Sequence, residues 1–246
     1  MDKENLPEIE TRLEVKNQTN EDSPAELFIY GRIRQAFPWE NEDDDTHISA
    51  KAVKNKLNGI SKDKSLDVHV NSPGGEVFES IAIRNLLVQH EGDVKIIIDG
   101  LAGSGASVIA TAAHVVMFKS SMQMIHKAWG MCIGNADDMM KMAEDLEKID
   151  DSILASYMEK FVGEEEELKD LMAEETWLTA KEALTLGLAD EIWEDEDVED
   201  DEDEEEEPQG SVKENLFLKY QKENKKKEEG KPDNGSGLFN AFQKNN

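Results

Sequence analysis

Apolar and polar residues alternate with a period of two over residues 25–33 (AELFIYGRI) and again over 66–70, where Asp67 and His69 separate Leu66, Val68 and Val70. That period marks strands with one face toward a core. Residues 94–98, 115–118 and 122–125 are shorter, more continuously apolar runs, as expected of strands covered on both faces. Elsewhere the spacing lengthens to three and four, which predicts helices. Residues 46–57 place Ile48, Ala52, Val53 and Leu57 on one face behind the cap-like Thr46 and Ser49, and residues 77–90 do the same with Val77, Ile81, Ile83, Leu86 and Leu87 before Gly92. A small-residue helix is expected over 108–113. The longest helix is expected over 135–161, where Met139, Met142, Leu146, Ile149, Ile153, Tyr157 and Phe161 recur at helical steps. A further helix over 164–173 and a short one between Thr179 and Gly187 precede a last strand at 189–193. Strand-helix-strand order implies parallel pairing through right-handed crossovers, hence an α/β fold.

The pattern stops at both ends. Residues 1–24 show no apolar period and read as a mobile arm, or as a contact arm in an oligomer; residues 34–45, with Pro38 and a run of acids, read as a loop. Acids occupy 13 of the 14 positions from 194 to 207, too few apolar groups to fold, so 194–210 is expected to be a disordered linker. The polar tail at 211–246 holds two apolar islands, 212–220 and 237–242, that could dock on a partner. The folded unit is therefore expected at 25–193.

Composition narrows the partners. A formal charge of −29 repels nucleic-acid phosphates and anionic membranes, so neither is expected. The single cysteine, Cys132, excludes an intramolecular disulfide, and no Cys/His cluster suggests a metal, so no cofactor is expected. The N-terminus lacks a basic and apolar leader and no 18-residue apolar run occurs, which points to a soluble, cytoplasmic protein, in a host cytoplasm if phage-encoded.

Three strand ends carry the candidate chemistry. Residues 71–75 (NSPGG) end one strand, with Pro73 fixing a turn and Gly74 and Gly75 permitting positive φ and a close backbone approach. The strand at 94–98 runs into GLAGSGAS, which sets Ser104 where a strand stops and a helix begins; MIH then delivers His126 at another strand end. A serine hydroxyl needs a neighbouring base, and imidazole can take and return its proton near neutral pH. Ser104 and His126 are thus expected to meet as nucleophile and base. Ser107, one helical turn on, is a rival nucleophile. His47, His69, His90 and His114 have no motif behind them, and His114 looks buried.

NSPGG, GLAGSGASVIA, MIH and ETWLTAKEALTLGLADEI, in this order over residues 28–192, resemble the ClpP family of self-compartmentalised serine peptidases, and most of all its phage head-maturation (prohead) branch. The resemblance implies a ClpP/crotonase-like repeated β-β-α superhelix with a projecting long helix that interlocks facing rings. It also implies a serine endopeptidase with Ser104 as nucleophile and His126 as base. Oxyanion amides are implied at Gly75 or Gly74 and at Gly105. It sets the third triad member at Glu175, where cellular members carry aspartate; Glu174 stands beside it as a competitor. The implied partners are further copies in a ring, capsid, scaffold or portal proteins as substrates, or an ATP-dependent unfoldase if the chain is a cellular subunit. A crotonase-like acyl-CoA enzyme, which also pairs two backbone amides, would leave Ser104 and His126 without a role. An inactive scaffold on the same fold would keep only the assembly surfaces.

Overall fold

The computed structural model describes residues 9–16, 23–40 and 47–193. Thr46, the acidic run, the C-terminal tail, and residues 1–8 and 17–22 of the expected arm lie outside the described residues. Those described fold in the order β1 (Arg12–Lys16), β2 (Ala25–Tyr30), α1 (Ala50–Leu57), β3 (Leu66–Ser72), α2 (Val77–Val88), β4 (Val94–Gly103), α3 (Gly105–Ala110), β5 (His114–Phe118), β6 (Met122–Ile125), α4 (Ala136–Met158), α5 (Glu165–Ala173), β7 (Thr176–Thr179), α6 (Ala180–Thr185) and β8 (Glu191–Trp193).

The expected α/β class holds. The sheet runs β1-β2-β3-β4-β5-β8, and every neighbouring pair along it is parallel except β1–β2. Its core is the alternation read from the sequence: Leu66, Val68 and Val70 on β3, Ile96 to Ile98 on β4, and Ile83 and Leu87 on α2 are buried. Buried Arg84 ties three helices together, its Nε donating to Thr111 Oγ1 at 2.7 Å and its other end reaching Glu159.

β4 is the pivot. Its residues Lys95 to Ile98 pair with β5, whereas Leu101 to Gly103 pair with β6, so the sheet forks near Gly100. β6 in turn pairs antiparallel with β7. The fork is held by Asn71, whose Oδ1 accepts the Leu101 amide proton at 3.2 Å. An apolar residue at position 71 would leave that amide unsatisfied where the ladder changes partner.

The structure corrects the sequence reading at several places: the small-residue helix expected over 108–113 begins earlier, as Gly105–Ala110, and two strands appear where none was expected. Arg12–Lys16, inside the expected mobile arm, is an edge strand paired with β2. What holds it is invisible locally: the Arg12 guanidinium lies 3.9 Å from the Phe28 ring centre on the neighbouring strand. Residues 176–179, read as the approach to a helix, form β7, a strand too short to show a period of its own.

The expected long helix is present as α4, started by a capping box between Asn135 and Asp138. Its two halves differ. Ile153, Leu154 and Tyr157 are buried, but no residue from 136 to 152 is, and Met139 and Met140 are exposed along with Trp129, Met131 and Ile133 just before the helix.

Candidate active site

Ser104 occupies the N-cap position of α3, where a serine side chain ordinarily bonds an amide of the first turn. Here it makes no such bond; Ser104 Oγ lies 2.7 Å from His126 Nε2 instead. Its backbone is the reason. Ser104 sits at φ 52°, ψ −122°, a region sparsely populated by residues with a Cβ, and this turns the hydroxyl away from the helix it caps. The strained turn is fixed from both sides, since the Ser104 amide donates to Met124 O at 2.8 Å and α3 is buried throughout.

Ser107 is not a competitor for His126. It is fully buried, with Oγ 2.6 Å from Ser104 O, 2.9 Å from Met124 O and 2.7 Å from the Tyr157 hydroxyl. Both carbonyls can only accept, so the one Ser107 proton serves them and the Tyr157 hydroxyl donates to Ser107 Oγ. Burial accordingly pushes the Tyr157 phenol well above its ordinary range. Ser107 thus buttresses the Ser104 turn, joining its carbonyl to that of β6 and to α4.

The glycine loop presses against this turn. A Cβ on Gly74 would lie 2.4 Å from Gly103 O and 2.7 Å from Gly105 N, and a Cβ on Gly75 would lie 1.8 Å from Ile33 O. Neither position tolerates a side chain. The Gly75 amide is 3.6 Å from the point that a Gly105 Cβ would occupy, so the amides of Gly75 and Gly105 are neighbours beside Ser104. Neither donates a backbone hydrogen bond among the described residues. The Ser104 amide, by contrast, is consumed by β6.

His126 follows the last residue of β6. With the Ser104 hydroxyl donating to Nε2, the remaining imidazole proton belongs on Nδ1, an atom fully buried from solvent. The antiparallel β6–β7 ladder pairs Met124 with Trp177 and Ile125 with Thr176. There the ladder ends, and Glu175 and His126 are the residues that adjoin its last rung, each one position outside its strand. Glu175 takes φ 54° to make the tight passage from α5 into β7. Glu174 belongs to the C-cap of α5 and lies one residue further from this ladder.

The other histidines are engaged elsewhere. His69 Nδ1 is 3.0 Å from Asp99 Oδ2 and its ring stacks on Phe28; His90 Nε2 is 2.7 Å from Lys64 O; His47 is buried. His114, read as buried, is exposed at the start of β5 beside Glu191. The strand end that carries it opens to solvent, so its polar neighbours replace the apolar cover expected. Among the described residues no group of three or more His, Cys, Asp or Glu is arranged to hold a metal, and no helix is long and apolar enough to cross a membrane.

One polar neighbour of His126 escaped the sequence reading. Asp150 on α4 accepts the Ala128 amide proton on Oδ1 at 2.6 Å, two residues beyond His126. The stripe that predicted α4 marks its apolar face, and nothing in that periodicity distinguishes Asp150 from the many other acids on the helix.

Residues 39–196 match the family model described as Clp protease. The chain is 28% identical over 169 residues to an ATP-dependent Clp protease proteolytic subunit of Staurastrum punctulatum, covering 66% of this chain and 84% of that one. Proteins of the same description from Bacteroides fragilis and Porphyromonas gingivalis are 27% identical over 174 residues and 29% identical over 179. Those matches cover 68% and 69% of this chain and 84% and 79% of the relatives.

Proposed function

Because this chain belongs to the Clp protease family, we propose that it is a serine endopeptidase in which Ser104 is the nucleophile, His126 the general base and Glu175 the group that orients the imidazole. The observation that carries this reading is the 2.7 Å contact between Ser104 Oγ and His126 Nε2, made by a serine that forgoes its helix cap. In the first step Ser104 Oγ attacks the scissile carbonyl while its proton passes to His126 Nε2. The developing oxyanion accepts from the Gly75 and Gly105 amides, donors fixed before the substrate arrives. His126 then protonates the leaving amine, and an ester on Ser104 remains. Water, deprotonated by the same nitrogen, hydrolyses that ester and restores the hydroxyl. We assign the Glu175 carboxylate to accept from Nδ1–H in the reacting complex, where it keeps Nε2 facing the serine and stabilises the imidazolium.

The exposed apolar residues before and along the first half of α4 support assembly into a ring, with this helix as the interlocking element. Within such a chamber the substrates are capsid, scaffold or portal proteins undergoing head maturation, the setting that the sequence blocks most resemble. The relatives' description as ATP-dependent proteolytic subunits favours a second setting, in which an unfoldase feeds the same chamber. Stimulation of protein cleavage by an added ATP-dependent unfoldase would favour the second over the first.

The chemistry is tested by a fluorophosphonate probe on sized oligomers, with the labelled peptide mapped. Label is expected on Ser104 and is expected to vanish in His126→Ala. Ser104→Ala is expected to lose roughly 10⁶ in peptidase turnover with fold and assembly intact. Undiminished cleavage by that variant would sink the assignment.

A further inference from the structure

We propose that Asp150 is a positioning residue for the peptidase reaction: its carboxylate fixes the segment leaving His126 and adds a second negative charge that stabilises the imidazolium. The proposal rests on the reading of His126 as the base.

β6 stops at Ile125, so His126 is the point at which the chain leaves the sheet. Its N-terminal side is held by ladders on β4 and β7. On its C-terminal side two bonds do the equivalent work. The Lys127 amide donates to Met172 O at 3.1 Å, and the Ala128 amide donates to Asp150 Oδ1 at 2.6 Å. The second is a charge-assisted bond, shorter and stronger than a neutral one. It comes from a side chain rather than from a ladder, so one substitution can alter it without disturbing the sheet.

The carboxylate sits beside the segment that leaves His126. Asp150 is half-buried against a recess of about 250 Å³, lined also by Lys127, Glu147, Asp151, Leu154, Lys169 and Met172. Lys169 is engaged by Glu165 at 2.7 Å and Glu166 at 3.3 Å, and the cation that acts on Asp150 is Lys127. Burial raises the Asp150 carboxyl above its usual range. The Ala128 amide, Lys127 and His126 oppose that rise, and Asp151 adds to it. A carboxylate that feels His126 is felt by His126 in return, since the interaction is mutual. When Ser104 transfers its proton, the charge that appears on the imidazole therefore meets Asp150 as well as the carboxylate assigned to orient it.

Asp150→Asn separates the two roles, because an amide oxygen still accepts from Ala128 but carries no charge. In the assembled full-length enzyme we expect kcat to fall about tenfold, the weight of one pKa unit of charge stabilisation, with KM unchanged. The acid limb of the kcat/KM profile is expected to move to lower pH, since an imidazolium with less negative charge around it loses its proton more readily. Asp150→Glu should recover both kcat and the acid limb. An Asn variant with wild-type kcat and an unmoved acid limb would overturn the proposal, as would a Glu variant that assembles yet recovers neither. Fluorophosphonate labelling of the wild-type enzyme separates the layers. If Ser104 is labelled and Asp150→Asn reacts at the same rate, only the role of Asp150 falls; if Ser104 is never labelled, the peptidase reading falls and takes this one with it.

Discussion

The two halves of the Ser104–His126 pair are built to different standards. The serine stands at the end of a ten-residue strand inside the sheet, before a helix with no exposed residue, on a turn braced by Ser107, Tyr157 and the glycine loop. The histidine stands at the end of a four-residue strand, after which the chain runs out over Trp129, Met131 and Ile133, all exposed. Strain at φ 52° persists only where the surroundings over-determine it, and Ser104 has a buried helix and a packed glycine loop to do so. Ser104, the proposed nucleophile, is therefore fixed by the fold of one chain, while His126, the proposed base, depends on a few polar contacts. In a ring built through the first half of α4, loss of assembly should reach His126 before it reaches Ser104.

The sharpest way to probe the weaker side is Glu175→Gln. If the ladder neighbour holds the imidazole tautomer, kcat should fall about 10⁴-fold while KM, melting temperature and oligomer size stay as they were. A fall of less than tenfold would move the third role to another group. On the stronger side, Gly75→Ala forces a Cβ to within 1.8 Å of Ile33 O. The loop must shift, taking one proposed oxyanion donor with it, and kcat should drop by about 10² to 10³. Wild-type turnover in a folded Gly75→Ala enzyme would remove Gly75 from the chemistry. The smallest effect tests the brace itself. Tyr157→Phe removes the donor to buried Ser107 Oγ and should cost about 1–3 kcal/mol of stability, read as a lower melting temperature in thermal denaturation. If the contrast between the two sides is right, the reaction rate of Ser104 with a fluorophosphonate should fall with it.

Much of this was legible in the sequence because strand and helix periods are local properties. The runs that became β3, β4, β5 and β6 announce themselves, and the polar or small residues that interrupt them, Asn71 to Gly75, Ser104 and His126, fall where the fold concentrates its chemistry. The rest depends on partners distant in the chain. β4 extends five residues beyond the apolar run that predicted it, because Gly100 to Gly103 pair as strand despite a composition that disfavours it. β1 is held by an arginine over a ring on another strand, and Ser107 is assigned its role by a tyrosine 50 residues away. Glu175 is implied by likeness to a family; its φ and its place just before β7 follow from a strand that four residues cannot announce.

The fork in the sheet makes chain length a ruler. β4 passes Ser104 forward to α3 and, 22 residues later, meets His126 again just past the end of β6, with the register of both arms fixed by the same strand. A one-residue slip of β6 against β4 would turn its side chains to the opposite face and carry His126 away from Ser104. A change of length between the two residues is therefore harmless to their meeting only where the turn at 119–121 absorbs it and leaves that register in place.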